Sequence, residues 1–312
     1  MFKKYLPIIL SLLTLLLVAL ILINKKNENK KNSIVKVKKI LFQTFSKQQS
    51  CIQHPKFLSK LGVTQPITID LSQQQFIGLA FLYGQNFSKV VHPQSWETFE
   101  HFSTYALDKK GDIYLAPMPF ISIKPSTFNL QKNIYKLDSI TGKLSIFMHF
   151  EDVLPSASNP YGIISLVYDC DDETLWVSAI DESNYRAEKG VIYHIDIKSK
   201  RVLQRLKNVD ALTLKLLKTK TDKFLLFGSA RKNALYAYSI KKSMLFDKKN
   251  KLFSLPSASE HIRKIRIIDE NTLEIEVINF TYSLVSETSL KRDRKHYRLF
   301  WNSNLGQFEQ KK

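Results

Sequence analysis

From about Pro66 onward, short apolar runs alternate with polar turns. The runs are rich in Ile, Val, Leu, Tyr and Phe, and the turns in Asp, Asn, Gly and Lys. Runs of four to eight such residues bounded by turn formers predict β-strands. Four segments repeat one pattern of strand, polar turn and strand: TYALDKKGDIYLA (104–116), SLVYDCDDETLWVSA (165–179), LKLLKTKTDKFLLFGSA (214–230) and RKIRIIDENTLEIEV (263–277). Their turn residues accept tight hairpin geometry. A third strand carrying a tyrosine comes after each pair: NIYKLD (133–138), VIYHID (191–196), ALYAYS (234–239) and HYRLFW (296–301). A fourth run completes the units at KLSIFMHF (143–150), RVLQRL (201–206), KLFSL (251–255) and QFEQ (307–310). A preceding unit is predicted from ITIDL (67–71), FIGLAFL (76–82), SKVV (88–91) and WETFEHF (96–102).

Five repeated four-stranded units predict an all-β chain folded as a β-propeller. One small sheet cannot bury both of its faces, so neighbouring sheets stack around an axis. Blades number five or six on this reading, with residues 40–65 available to complete a sixth or lend a closing strand.

The amino terminus has a different pattern. Leu6 to Ile23 runs 18 residues without a charge, about 27 Å as a helix, which approaches the hydrocarbon thickness of a bilayer. Lys3 and Lys4 precede it, and Lys25, Lys26, Lys30 and Lys31 come after it. A cleaved signal peptide has a shorter apolar core and a small-x-small cleavage site, so the expectation is an uncleaved anchor contacting membrane lipid. The lysines after the helix favour a cytoplasmic C-terminal flank. N-terminal anchors with a short basic leader more often export the chain on their C-terminal side. The two arguments conflict, and the expectation taken is a single-pass cell-membrane protein with an extracytoplasmic propeller. Residues 1–24 are then the anchor, 25–40 a basic linker and 41–312 the propeller domain.

Composition refines this reading. The formal charge of +19 is uneven: residues 1–40 carry a net +8, residues 41–199 a net −3 and residues 200–312 a net +14. Such asymmetry can mark a face for anionic partners. No aromatic-rich basic motif accompanies it, so nucleic acid is not an expected partner. Nine glycines in the whole chain argue against a glycine-rich phosphate loop. Cys51 and Cys170 form no metal-spaced pair. In an oxidising compartment they could pair, but 119 residues separate them and spacing alone does not bring them together.

The blade phrases NPYGIISLVYDCDDETLWVSA (159–179) with GVIYHIDIKSKRVL (190–203), and KGDIYLA (110–116) with NIYKLDSITGKLSIF (133–147), resemble the six-bladed propellers of the gluconolactonase, strictosidine synthase-like and NHL superfamily. The match is best over residues 100–240. This resemblance implies a divalent metal at the central channel, held by Glu, Asn and Asp. Only Asn159 falls where that pattern puts an Asn, and no matching Glu is found. Ca²⁺ would suit such oxygen ligands, so a metal-dependent lactonase-like hydrolase is the alternative function; otherwise no cofactor is expected.

No other motif points to catalysis. The acidic run Asp169, Asp171, Asp172, Glu173 lacks an EF-hand loop and reads as an exposed hairpin turn. His92, His101, His149 and His194 show no metal spacing, and GSARK (228–232) is not a nucleophile elbow. The candidate site is therefore a binding surface on two insertions between second and third strands: PMPFISIKPSTFNLQ (117–131) and DESNYRAEKG (181–190). Phe120, Phe128, Asp181, Glu182, Tyr185 and Arg186 are its expected contact residues. The function expected is a membrane-anchored, non-catalytic module binding a protein or small-molecule ligand.

Overall fold

The structure is a computed structural model that describes residues 44–45, 51–71, 76–99, 101–118, 127–245, 248–283 and 294–310. The expected anchor at Leu6–Ile23, the basic linker and Phe120 lie outside the described residues. The chain divides into two units, Met1–Lys39 and Ile40–Lys312. Among the described residues no helix is long and apolar enough to cross a membrane.

The second unit is a five-bladed, all-β propeller of antiparallel sheets. Blade 1 is β1 (Ile67–Asp70), β2 (Ala80–Tyr83) and β3 (Lys89–Val91). Blade 2 is β4 (Phe102–Leu107), β5 (Ile113–Pro117), β6 (Asn133–Leu137) and β7 (Leu144–His149). Blade 3 is β8 (Ile163–Asp169), β9 (Thr174–Ala179), β10 (Val191–Asp196) and β11 (Arg201–Lys207). Blade 4 is β12 (Ala211–Lys218), β13 (Lys223–Ser229) and β14 (Ala234–Lys241), whose outer edge pairs both β15 (Met244–Leu245) and β16 (Asn250–Ser254). Blade 5 is β17 (Glu260–Ile267), β18 (Thr272–Asn279), β19 (Lys295–Asn302) and β20 (Gln307–Gln310).

Burial explains the apolar pattern. β9 is buried at every position because blades flank both of its faces, so TLWVSA needs no polar alternation. β11 lies at the outer edge and alternates strictly between exposed and half-buried residues along RVLQRLK. A separate apolar core fills each gap between consecutive blades. Leu79, Phe81 and Tyr135 lie between blades 1 and 2, and Tyr114, Leu166 and Tyr193 between blades 2 and 3. Trp176, Leu214 and Phe227 lie between blades 3 and 4, and Leu226, Ile262 and Ile275 between blades 4 and 5. Burying each such side chain contributes about 1.5–3 kcal/mol, so blade-to-blade packing carries the fold.

Turn chemistry repeats as well. The turns after β6, β10 and β19 open on Asp138, Asp196 and Asn302, whose side-chain oxygens accept backbone N–H groups of the turn at 2.9 Å from Thr141, 2.6 Å from Ser199 and 3.1 Å from Asn304. The inner strands β4, β8, β12 and β17 each carry a bulge at the corresponding place, at Ser103, Ile164, Leu212 and Arg263. An extra residue bends the strand and raises its twist, which turns each innermost strand along the channel.

Two expectations are corrected. WETFEHF is not a fourth strand: Gln94–Phe99 forms a 3₁₀ turn, and His101 and Phe102 lead into the next blade. Trp96 draws this segment inward, packing edge-on to Phe57 and Phe81 while its indole N–H donates to the Gly142 carbonyl at 3.0 Å. Residues 51–65 add neither a sixth blade nor a closing strand. They form a strap and a short helix, Lys56–Lys60, so the described residues build five blades and not six.

The strap crosses the face where first strands turn into second strands. Phe45 is buried in the blade 4–5 core, donates its N–H to the Glu270 carbonyl at 2.8 Å and packs edge-on to Phe308. Cys51 forms a disulfide with Cys170 of blade 3. Gln53 N–H donates to the Asp108 carbonyl at 3.3 Å, and Phe57 N–H to the Ser139 carbonyl at 2.8 Å. Gly111 makes the crossing possible. Its φ is +87°, and a Cβ there would lie 2.6 Å from the His54 carbonyl.

The acidic run is a bonding hub on this same face rather than a simply exposed turn. Lys223 of blade 4 places its ammonium 2.7 Å from both Asp169 and Asp172, and Lys218 lies 2.6 Å from Asp171. Lys109 of blade 2 bonds Glu173. Asp169 is wholly buried, so its pairing with Lys223 avoids an uncompensated buried charge.

Candidate functional site

The opposite face carries the connections from second to third strands and from one blade to the next. Both insertions expected to form the site emerge here, DESNYRAEKG between β9 and β10 and the 117–131 segment between β5 and β6. Phe128 is half-buried in a short helix, Thr127–Leu130. The two insertions therefore share one face of the propeller.

The 181–190 loop is braced along its whole length. Asp181 is buried and accepts the Leu154 N–H at 2.8 Å. Burial pushes its carboxyl up to about 6, against the lowering effect of its backbone hydrogen bonds. Asn184 accepts N–H groups from Arg186 at 2.8 Å and Ala187 at 3.0 Å, closing a tight turn. Arg231 of blade 4 donates from its guanidinium to the Asn184 carbonyl at 2.5 Å and the Tyr185 carbonyl at 3.1 Å. Glu182 is exposed and pairs with Lys189 at 3.4 Å. Tyr185 is 68% exposed although its backbone is held, and its ring meets Tyr282 of blade 5 edge-on at 5.5 Å. Arg186 is exposed beside it. An exposed tyrosine on an immobilised backbone, next to an arginine, loses little entropy on contact.

Asp210 anchors this platform. Its carboxylate is fully buried and accepts from Ser183 Oγ at 2.6 Å, Gly190 N–H at 2.8 Å and Tyr282 OH at 2.5 Å. Burial raises its pKa, and these hydrogen bonds work the other way. Its own backbone bonds Glu188 and Ala230. One side chain thus ties together loops of blades 3, 4 and 5. Gly190 is required for the approach, since a Cβ there would lie 2.5 Å from Asp210 Oδ1. Beneath this tie, Tyr161, Ile164, Leu212, Phe280 and Tyr282 form an apolar cluster at the loop-face end of the inner strands.

Asn159 sits at the base of the platform. Its amide N–H groups donate to the Ile180 and Ser183 carbonyls at 2.7 and 2.8 Å, and its oxygen accepts the Tyr161 N–H at 3.1 Å. The geometry is that of a backbone brace. Among the described residues no group of three or more His, Cys, Asp or Glu converges as a metal site. His194, inside β10, is wholly buried, stacks on Trp176 at 3.7 Å and bonds Thr174 Oγ1 at 2.8 Å. Burial lowers its pKa to about 4, so the ring is neutral.

Sequence reasoning missed Asp210, Tyr282, Ser183 and Arg231. A faint signal existed for the first: Asp210 is a lone carboxylate directly ahead of the apolar strand ALTLKLL. The others are ordinary surface types whose roles depend on loops from three blades meeting.

No protein-family profile matches the chain, and no curated protein matches it. Solved structures are similar at the level of the backbone trace. A chain of a nidogen/laminin complex is 10% identical, with a TM-score of 0.43 and coverage of 69% of this chain and 72% of that one. A glucose dehydrogenase is 14% identical, with a TM-score of 0.40 and coverage of 72% and 76%. A GH43 β-1,3-galactosidase with galactodeoxynojirimycin is 10% identical, with a TM-score of 0.40 and coverage of 73% and 78%. The five-bladed assignment rests on the strand pairing described above.

Proposed function

We propose that this chain is a membrane-tethered, extracytoplasmic propeller whose loop face binds a protein partner through Tyr185 and Arg186. The observation that carries the reading is the exposed Tyr185 on a loop whose backbone is held, on the face opposite the strap. The strap that brings the chain in from its amino-terminal side lies on the turn face, at Phe45, Cys51 and Gln53. The braced loop with its exposed tyrosine lies on the other. Tyr and Arg on rigid backbone are the side chains that dominate protein contacts. The Cys51–Cys170 disulfide supports export, because disulfides persist in oxidising compartments.

The test is photo-crosslinking in intact cells. A photoreactive residue at Tyr185 is compared with one at Leu305, an exposed turn-face position. The expected outcome is a discrete protein adduct from position 185 and none from 305. Adducts from neither position, or equally from both, refute the loop-face reading. Release of the chain by alkaline carbonate refutes the tether.

A further inference from the structure

We propose that the central channel is a second binding site, selective for a small oxyanion ligand bearing two or more negative charges and held by Lys215 and Arg263. The site lies apart from the loop-face platform and does not depend on the function proposed for it. The inner strands enclose a cavity of about 1130 Å³, ample for a small molecule. Its walls are strongly one-sided in charge. Lys215, Lys218, Arg263, Lys264, Arg266 and Arg294 line it, against two carboxylates, Asp70 and Glu276.

Most of these cations are already neutralised by named partners. Lys218 pairs with Asp171 at 2.6 Å and Arg266 with Glu274 at 3.0 Å. Lys264 and Arg294 share Glu276 at 3.3 and 3.7 Å. Lys215 is different. It is largely enclosed on β12, and among the described residues no carboxylate or other hydrogen-bond acceptor is paired with its ammonium. Burial accordingly pulls its pKa below the ordinary lysine value, with no opposing charge to restore it. A desolvated ammonium without a counter-ion is an unfavourable arrangement that an anion relieves.

A second cation lines the same cavity from the neighbouring inner strand. Arg263 is the bulge residue of β17, and its guanidinium reaches across the blade seam to donate to the Leu212 carbonyl at 3.3 Å. Leu212 is the bulge residue of β12, three positions before Lys215 on the same strand. The two cations therefore line the cavity from contacting inner strands, β12 and β17. Thr213 on the same strand as Lys215, and Ser103 and Thr104 on β4, add hydroxyls. Low-dielectric walls carrying charge of one sign concentrate anions. Planar guanidinium suits bidentate contact with carboxylate or phosphate, while the ammonium acts as a point charge.

The experiment is calorimetric titration of the purified full-length chain in detergent, with inorganic phosphate, citrate and uncharged glucose at fixed ionic strength. Saturable binding of phosphate or citrate, and none of glucose, is expected. Citrate alone assigns a polycarboxylate, and phosphate alone a phosphorylated ligand. Lys215→Met should weaken binding at least about ten-fold, the loss of one charge-assisted contact, while Lys251→Ala, at an exposed position of the outer strand β16, leaves it unchanged. Protection of Lys215 from acetylation in the unmodified protein provides a readout that needs no variant. Absence of saturable oxyanion binding, equal binding of glucose, undiminished binding by Lys215→Met, or no protection of Lys215 each overturns the proposal.

Discussion

Breaking the Cys51–Cys170 disulfide should loosen the strap and lower the stability of the whole propeller. The bond closes a loop of 119 residues. On the chain-entropy model a loop of that length is worth about 5 kcal/mol, and measured values are commonly about 2–4 kcal/mol. The lower range applies here, because Phe45, Gln53 and Phe57 continue to hold the strap by burial and backbone hydrogen bonds once the sulfurs part. A loss of about 3 kcal/mol corresponds to a fall of about 6–12 °C in Tm for a unit of this size. The assay is thermal unfolding of the oxidised protein beside a Cys51→Ser/Cys170→Ser variant, with thiols titrated in denaturant without reductant. The oxidised protein should show no free thiol. A variant whose Tm stays within about 2 °C of the parent would refute the clasp, as would two free thiols in the parent. The same bond links fold to compartment, since a chain that depends on it matures best where thiols oxidise.

Two buried groups give opposite pH dependences. His194 titrates at about 4 in the folded chain against an ordinary 6.5. The unfolded chain takes up the proton first as pH falls, so stability declines from about pH 6.5 to about 4, by at most about 3 kcal/mol. Urea midpoints across that window should show the slope, and His194→Gln should flatten it. Asp181 titrates at about 6 against 3.8, and its folded form keeps a proton that the unfolded chain releases. Stability therefore declines as pH rises from about 3.8 through about 6, again by at most about 3 kcal/mol. Asp181→Asn should gain stability over the parent at about pH 7.5 but not at about pH 3.5, while keeping an oxygen for the Leu154 N–H; an equal change at both pH values sinks this reading.

The strand-turn-strand units were legible because their signals are local. TLWVSA and ALYAYS are strands by composition alone, and DKKGD and DSITGK are turns because Asp oxygens cap nearby N–H groups. The place of the 181–190 loop between second and third strands came from counting. WETFEHF misled because Trp96 has strand-forming neighbours, yet its ring is worth more buried against Phe57 and Phe81 than spread along an edge. The acidic run looked solvated because the lysines that pair with it, Lys109, Lys218 and Lys223, belong to other blades.

By itself the sequence determined the repeating strand-turn-strand units of blades 2 to 5 and the propeller class, since each rests on the periodicity and turn chemistry of a few adjacent residues, while the choice between five and six blades came from the structure. Tertiary structure alone decided the Cys51–Cys170 bond, the strap, the burial of His194 against Trp176 and the convergence on Asp210. Each of these joins residues at least 18 positions apart, from Trp176 and His194 at the near end to Phe45 and Phe308 at the far end. His194 meets Trp176 across the β9–β10 pairing of one blade, whereas the disulfide, the strap and the convergence on Asp210 depend on how far one blade is rotated against the next. That rotation is set by the packing between sheets, which no single stretch of chain encodes.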